Sequence, residues 1–93
     1  MKWTVELVPK ARRQLDRMEP EIRLQVLEDL LTLGPDPQGT SSNRKKLKGF
    51  STPTYRLRSG DYRAIYRIEG DIVVVGAIIN RKDLSRELRS IKG

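Results

Sequence analysis

The sequence predicts an α+β fold with one sheet: an N-terminal strand, a two-helix hairpin, a three-stranded antiparallel meander with the helices packed on one face, and a short C-terminal helix. Apolar and polar residues alternate at 2–7 and again at 55–68, which is typical of half-buried strands. Apolar residues recur at helical spacing within 9–33. Polar links that contain glycine, at 59–61 and 69–71, separate three strand-like runs and indicate consecutive hairpins.

Prolines and a glycine predict the helix boundaries. Pro9 suits the first turn of one helix, and Pro20 interrupts that helix and can begin the next. Gly34 fits the position that stops the second helix, and Pro35 cannot continue it. A short C-terminal helix on the core is predicted from apolar residues at i, i+4 and i+7, which are Leu84, Leu88 and Ile91.

Composition limits the classes of function. The chain has 93 residues, enough for one domain at 1–93, and a formal net charge of +7, which predicts a polyanionic partner. The absence of cysteine and histidine excludes disulfides, thiolate or histidine catalysis, and the usual zinc sites. Any catalysis must therefore use Arg, Lys, Tyr, Ser or carboxylates. The longest apolar run, at 72–79, is too short for a membrane helix, and we expect a soluble, cytoplasmic protein without metal or cofactor.

The meander places two kinds of side chain on opposite faces, because successive side chains of a strand alternate. Tyr62 and Tyr66 share one face with apolar neighbours, whereas Arg63 and Arg67 share the other. Closely spaced guanidinium groups repel one another unless an anion lies across them. This face either binds an anionic partner or is a solvated outer face, and the pattern alone leaves both interpretations open.

A basic run lies between the helices and the meander. Residues 34–42 are loop by composition, and we expect the basic run that follows to continue this loop. The run either extends the positive surface and contacts phosphates or is a solvated loop, and its position just before the arginine-bearing strand favours phosphate contact. Its basic residues are Arg44, Lys45, Lys46 and Lys48.

Three sequence motifs resemble those of a known family. They are KKLKG at 45–49, YRLRSGDYR at 55–63 followed by Ile65-Tyr66, and NRKDL at 80–84. With the order of elements, they resemble the RelE/ParE superfamily of bacterial and archaeal toxins over nearly the whole chain. The resemblance implies a toxin neutralised by a RelB-like antitoxin that wraps around it. RelE-like members bind mRNA in the A site of the 70S ribosome and cleave it by 2′-OH attack, without histidine, metal or cofactor.

The resemblance also assigns roles to individual residues. Arg56, Arg63 and Arg81 take the catalytic positions, and Arg63 would bind the scissile phosphate and stabilise its transition state. Contacts with RNA or ribosome are expected from Arg44, Lys45, Lys46, Lys48, Arg58, Asn80, Lys82 and Ser85.

The terminal motif departs from the family pattern at two positions. Many RelE-like chains carry a histidine where this chain has Asn80 and a C-terminal tyrosine where it has Ser85. Arginine is a poor general base, so a lysine, Tyr62 or an rRNA group would have to transfer the proton. Two alternatives therefore stay open: a ParE-like, non-enzymatic inhibitor of DNA gyrase, or a catalytically weakened toxin that only binds its antitoxin.

Overall fold

A computed structural model describes residues 2–38 and 43–92 and shows one mixed five-stranded sheet with helices on both faces. The strand order is β1-β5-β4-β3-β2, in which β1 runs parallel to β5 and every other neighbouring pair is antiparallel. The elements are β1 (Thr4–Leu7), α1 (Pro9–Asp16), α2 (Pro20–Leu31), β2 (Arg44–Leu47), β3 (Thr54–Ser59), β4 (Tyr62–Glu69), β5 (Ile72–Asn80), a 3₁₀ turn (Arg81–Asp83) and α3 (Leu84–Lys92).

The two-helix hairpin forms as predicted and covers one face of the sheet, here called the helix face. Both helices begin at the expected prolines, Pro9 and Pro20, whose fixed φ suits a first turn. The main core lies between the helices and this face, and burial of its apolar side chains is the main source of stability. Its buried members are Ala11, Leu15, Met18, Val26, Leu30, Leu33, Leu57, Ala64, Tyr66, Val73, Val75 and Ile78.

The second helix ends for a different reason from the one predicted. It stops at Leu31, three residues before Gly34, and Gly34 does not adopt a positive φ. A Cβ at Gly34 would lie 3.2 Å from the carbonyl oxygen of Trp3, whose own amide donates to the Gly34 carbonyl at 2.7 Å. The glycine therefore permits a close approach of two backbones rather than a left-handed helix cap.

The predicted meander is present as β3, β4 and β5, and its two turns contain glycines with positive φ, 57° at Gly60 and 60° at Gly70. Its register places Arg58 opposite Arg63, and Tyr55 opposite Tyr66. The two tyrosine rings stack with centroids 5.4 Å apart on the helix face. The opposite face, which carries Arg58 and Arg63, is called the arginine face below.

A bulge at Gly76 was not foreseen from the sequence. In the pairing of β4 with β5, Ile65 lies opposite Ala77 but Tyr66 lies opposite Val75, so Gly76 is left without a partner. The extra residue reverses the alternation of β5. Val75 consequently packs in the main core, whereas Ala77 belongs to a second cluster on the arginine face.

The second cluster is the surface on which α3 packs. Leu84 and Leu88 of α3 pack against Ile65, Ala77 and Ile79 on the arginine face. The expectation that the helices share one face therefore holds for α1 and α2, whereas α3 lies on the other side of the sheet. The side chain of Ile91, the third apolar residue predicted for this helix, lies outside the described residues.

The loop predicted through the basic run is wrong, because Arg44–Leu47 forms the edge strand β2. It pairs antiparallel with β3 and places Lys45 opposite Arg56 and Leu47 opposite Thr54. The physical reason is that β3 would otherwise leave a row of backbone N–H and C=O groups unpaired along its edge. Of residues 34–42, the last four lie outside the described part of the chain. Among the described helices, none is long and apolar enough to cross a membrane.

Candidate functional site

Arginines gather at one end of the arginine face, where β3 turns into β4. The strand register places Arg58 directly opposite Arg63, and Arg56 is two residues along β3 on the same face. Arg81 follows β5 at once and reaches the same turn, where its Nε lies 3.6 Å from Asp61 Oδ1. The structure thus brings together the three arginines expected to be catalytic, together with Arg58.

The β3–β4 turn holds two of these guanidinium groups. Arg63 Nη1 donates to the carbonyl oxygens of Gly60 and Tyr62, both at 2.9 Å. The Arg81 backbone amide donates to the Asp61 carbonyl at 2.8 Å, in addition to the contact between the two side chains. A guanidinium has five N–H donors, so both arginines keep further donors for a ligand.

The electrostatics of Arg63 reflect this crowding. Burial lowers its pKa, the nearby charges of Arg56, Arg58 and Arg81 lower it further, and Asp61 opposes them. The guanidinium still carries its charge at neutral pH. Mutual repulsion among these cations is relieved when a polyanion such as a phosphodiester binds across them.

Two further arginines of the sheet differ in what surrounds them. Arg56 is half-buried, and its Nε is shielded from solvent without a hydrogen-bond partner among the described residues. Arg67, on the same face but farther from the turn, forms a salt bridge with Glu69. Among the described residues, Arg56, Arg58 and Arg63 form no salt bridge, although Asp61 lies close enough to Arg63 to raise its pKa.

The strand β2 divides the basic run between the two faces. Lys45 is exposed on the arginine face beside Arg56. Lys46 points to the opposite side, and Lys48 lies just beyond the strand, also exposed. Arg44 also points to the helix face, where Nη2 donates to the Thr32 carbonyl at 3.1 Å and to its hydroxyl at 2.7 Å. Arg44 thereby links the edge strand to the end of α2.

The terminal motif is similarly divided. Asn80 is the last residue of β5 and lies opposite Tyr62, so its side chain belongs to the helix face. Its Oδ1 accepts a hydrogen bond from the Lys82 amide at 3.1 Å and caps the 3₁₀ turn. Lys82 and Ser85 are both exposed. Only Arg81 of this motif joins the arginine cluster.

The sequence analysis did not identify Asp61 as the residue that orients Arg81, although Asp61 lies within the motif SGDYR at 59–63. It also missed a cleft of about 400 Å³ between α2 and the β3–β4 turn. No sequence signal predicts that cleft, because its walls come from α2, the β3–β4 turn and Asn80, which lie far apart along the chain. No group of three acidic side chains that could hold a metal ion occurs within residues 2–38 and 43–92.

Comparison with known families identifies the family of the chain. Residues 5–84 match the model of the ParE toxin of type II toxin–antitoxin systems, parDE. The chain belongs to this toxin family. It is therefore a toxin of a toxin–antitoxin system, and its predicted membership of the RelE/ParE superfamily is confirmed. No curated protein sequence matches the chain significantly.

Solved structures with the same fold include several RelE toxins. The RelBE2 toxin–antitoxin complex of Mycobacterium tuberculosis is 30% identical with a TM-score of 0.71, over 87% of this chain and 100% of that one. The archaeal RelE–RelB complex of Pyrococcus horikoshii is 24% identical with a TM-score of 0.74, over 87% and 97%. A mutant of Escherichia coli RelE in the free state is 22% identical with a TM-score of 0.72, over 97% and 93%. These similarities confirm the predicted α+β fold.

Proposed function

We propose that this toxin is a ribosome-dependent endoribonuclease that cleaves mRNA in the ribosomal A site and so inhibits translation. The observation that carries the proposal is the convergence of Arg58, Arg63 and Arg81 on one hairpin turn. Preorganised cationic donors of this kind stabilise negative charge that develops on a phosphate, and they require no metal.

The proposed reaction is attack of a ribose 2′-OH on the adjacent phosphorus. The new 2′-O–P bond forms as the P–O5′ bond breaks, which leaves a 2′,3′-cyclic phosphate and a 5′-hydroxyl end. Arg63 and Arg81 donate to the non-bridging oxygens, whose charge increases in the transition state. Arg56 and Arg58 hold the flanking backbone.

One proton must leave the 2′-OH and one must reach the departing 5′-oxygen. Tyr62 is an unsuitable base because it packs beside the main core on the helix face. Lys45 is exposed on the arginine face next to Arg56, which makes it the candidate among this chain's own residues. A group of the rRNA would otherwise supply the proton transfer.

The proposed partners follow from the charge of the arginine face. A RelB-like antitoxin would neutralise the toxin by placing an acidic segment on this face, which would also block RNA. Two of the similar structures described above are complexes of a toxin with its antitoxin. The 70S ribosome and mRNA would be the targets in the cytoplasm.

Primer extension on a reporter mRNA in a reconstituted translation system tests the proposal. Wild type should produce discrete cuts in the A site, and Arg63→Ala should reduce cleavage by about 100- to 1,000-fold. Arg67→Ala is the matched control, because Arg67 lies on the same face but is paired with Glu69. Intact mRNA with wild type would refute the endoribonuclease.

One alternative is favoured by a specific observation. The family model that matches is that of ParE, and Ser85 stands where many RelE-like chains have a tyrosine. A ParE-like chain would inhibit DNA gyrase without chemistry. Induction of the SOS response on expression, with mRNA intact, would establish this alternative.

A further inference from the structure

The cleft between α2 and the β3–β4 turn differs in character from the rest of this basic molecule. Its volume is about 400 Å³, which lies within the usual range of small-molecule sites. None of the described residues that line it is lysine or arginine, although the chain carries a net charge of +7. Glu21 and Asp61 supply carboxylates instead. These carboxylates favour a group that donates hydrogen bonds.

The cleft also has apolar walls suited to a flat ring. Its lining includes Ile22, which is 41% exposed, the buried Val26 and the half-buried Tyr62. An exposed isoleucine beside a concave surface gains stability when a ligand covers it. A planar heterocycle with hydrogen-bonding edges fits this combination of apolar walls and polar groups.

The polar groups have a defined pattern of donors and acceptors. Gln25 lines the cleft and uses its amide nitrogen to donate to Asp29 Oδ2 at 3.1 Å, so its Oε1 remains available as an acceptor. Asn80 uses Oδ1 to accept from the Lys82 amide, so its Nδ2 remains a donor. With the Glu21 and Asp61 carboxylates, the cleft offers at least three acceptors in addition to the Asn80 donor. Guanine presents the complementary set, because its N1–H and N2–H₂ donate and its O6 accepts.

The same turn connects the cleft to the arginine cluster. Asp61 lines the cleft and contacts the Arg81 side chain, and Asn80 immediately precedes Arg81. Arg63 Nη1 donates to the carbonyl oxygens of Gly60 and Tyr62, which are themselves cleft residues. The arginine cluster and the cleft thus lie on two sides of the same β3–β4 turn.

We propose that this cleft is a base-recognition subsite that receives a guanine of the RNA bound by Arg63 and Arg81. The inference rests on the proposed endoribonuclease function and extends it to sequence preference. Glu21 and Gln25 accept from the guanine N1–H and N2–H₂, Asn80 donates to O6, and the ring packs against Ile22. Glu21 and Gln25 are specificity residues and take no part in the bond-breaking step.

The cleavage experiment uses an mRNA library in which every base occurs around the cut site. Wild type should favour sites with guanine at one fixed position by about tenfold over the other bases. Glu21→Gln should reduce that preference to about twofold by slowing cleavage at the guanine sites. Glu28→Gln is the matched control, because Glu28 is exposed on the same helix outside the cleft, and it should retain the full preference.

A binding experiment keeps the two proposals separable. Guanosine 5′-monophosphate, titrated into wild type and followed by amide NMR shifts, should perturb residues 21–26, 59–62 and 80 and should bind about tenfold more tightly than adenosine 5′-monophosphate. If wild type cuts no mRNA, the endoribonuclease proposal is refuted, but this titration still tests whether the cleft binds guanine.

Several outcomes would overturn the subsite alone. Cleavage without base preference, or an unchanged preference in Glu21→Gln, would do so while the endoribonuclease stood. Shifts confined to the arginine face would mean that only the phosphate binds. Shifts in the cleft with N-acetyl-arginine amide and none with guanosine monophosphate would assign the cleft to a basic side chain of a protein partner.

Discussion

The two faces of the sheet are built from the same strands but differ in burial and in charge. On the helix face, Leu57 is fully buried and Tyr66 is 1% exposed beneath the helices. On the arginine face, the alternate residues Arg56 and Arg58 meet solvent, and α3 covers only the small cluster around Ile65. One face stabilises the fold by burial, and the other leaves cationic groups exposed to solvent.

The comparison suggests a test of the proposed function, because residues for the core and residues for RNA would alternate along the same strands. The two-residue period of a strand allows every second side chain to serve the core while the others remain exposed. Substitutions at neighbouring positions should therefore have unrelated effects, one on unfolding and one on RNA. The following predictions test that separation, from the largest expected effect to the smallest.

Leu57→Ala and Arg56→Ala should act on different properties although the residues are adjacent. Leu57→Ala leaves a cavity in the main core and should lower the free energy of unfolding by about 2–5 kcal/mol. Arg56→Ala should change stability by a small fraction of that amount but reduce mRNA cleavage. Urea denaturation and primer extension on both variants measure the two effects. Equal destabilisation by the two substitutions would contradict the separation.

Tyr66 should make stability depend on alkaline pH. Burial raises the pKa of Tyr66 to about 12, and its hydroxyl donates to the Pro37 carbonyl at 2.6 Å. Above pH 10 the unfolded chain releases this proton while the folded chain retains it. The free energy of unfolding should thus fall by about 2 kcal/mol between pH 10 and 12. Tyr66→Phe should lack this component, and an identical pH profile for the variant would refute the assignment.

The two faces of β2 can be compared with Arg44→Met and Lys45→Met. Arg44→Met removes charge-assisted hydrogen bonds to Thr32 and should lower stability by about 1–3 kcal/mol. Lys45→Met should leave the melting temperature unchanged and weaken binding to a non-cleavable RNA. Thermal melts and fluorescence anisotropy distinguish the two. A stable Arg44→Met variant with weakened RNA binding would show that Arg44 contacts RNA after all.

The smallest expected effect is a change in salt dependence. Each phosphate neutralised on single-stranded RNA contributes about −0.7 to the slope of log affinity against log salt. Arg58→Gln should reduce the slope by about that amount, because Arg58 lies in the cluster on the arginine face. Lys46→Gln, on the opposite face, should leave it unchanged. Equal slopes for the two variants would mean that the arginine face does not bind the backbone.

Sequence patterns predicted the local structure well because the relevant physics is local. Pro9 and Pro20 marked the helix starts, Gly60 and Gly70 marked the turns, and alternation assigned Arg63 to the face opposite the tyrosines. Each depends on the conformational preference of one residue or on the period of one element. The family resemblance added the superfamily, which the match over 5–84 confirms.

Interactions between segments that are distant in sequence decided two features that local patterns did not predict, the strand β2 and the bulge at Gly76. Whether 44–47 became a loop or a strand depended on the edge of β3, which lies outside that segment. The unpaired Gly76 reversed the alternation of side chains along β5. This placed Ala77 and Ile79 on the arginine face, where Leu84 and Leu88 of α3 pack against them. The hydrophobic pattern of one segment predicts neither outcome, because the free energy of strand pairing depends on both strands of the pair.

By itself, the sequence determined the order of the elements other than β2 and the separation of arginines from aromatic residues, and it predicted a polyanionic partner from the net charge of +7. Only the tertiary structure decided which cations meet. It brought Arg81 to Arg63 through Asp61, turned Arg44 toward Thr32, and formed a cleft between α2 and the hairpin tip. The physical reason is that alternation determines the side of a strand on which a residue lies, whereas strand pairing and helix packing determine which residues it contacts.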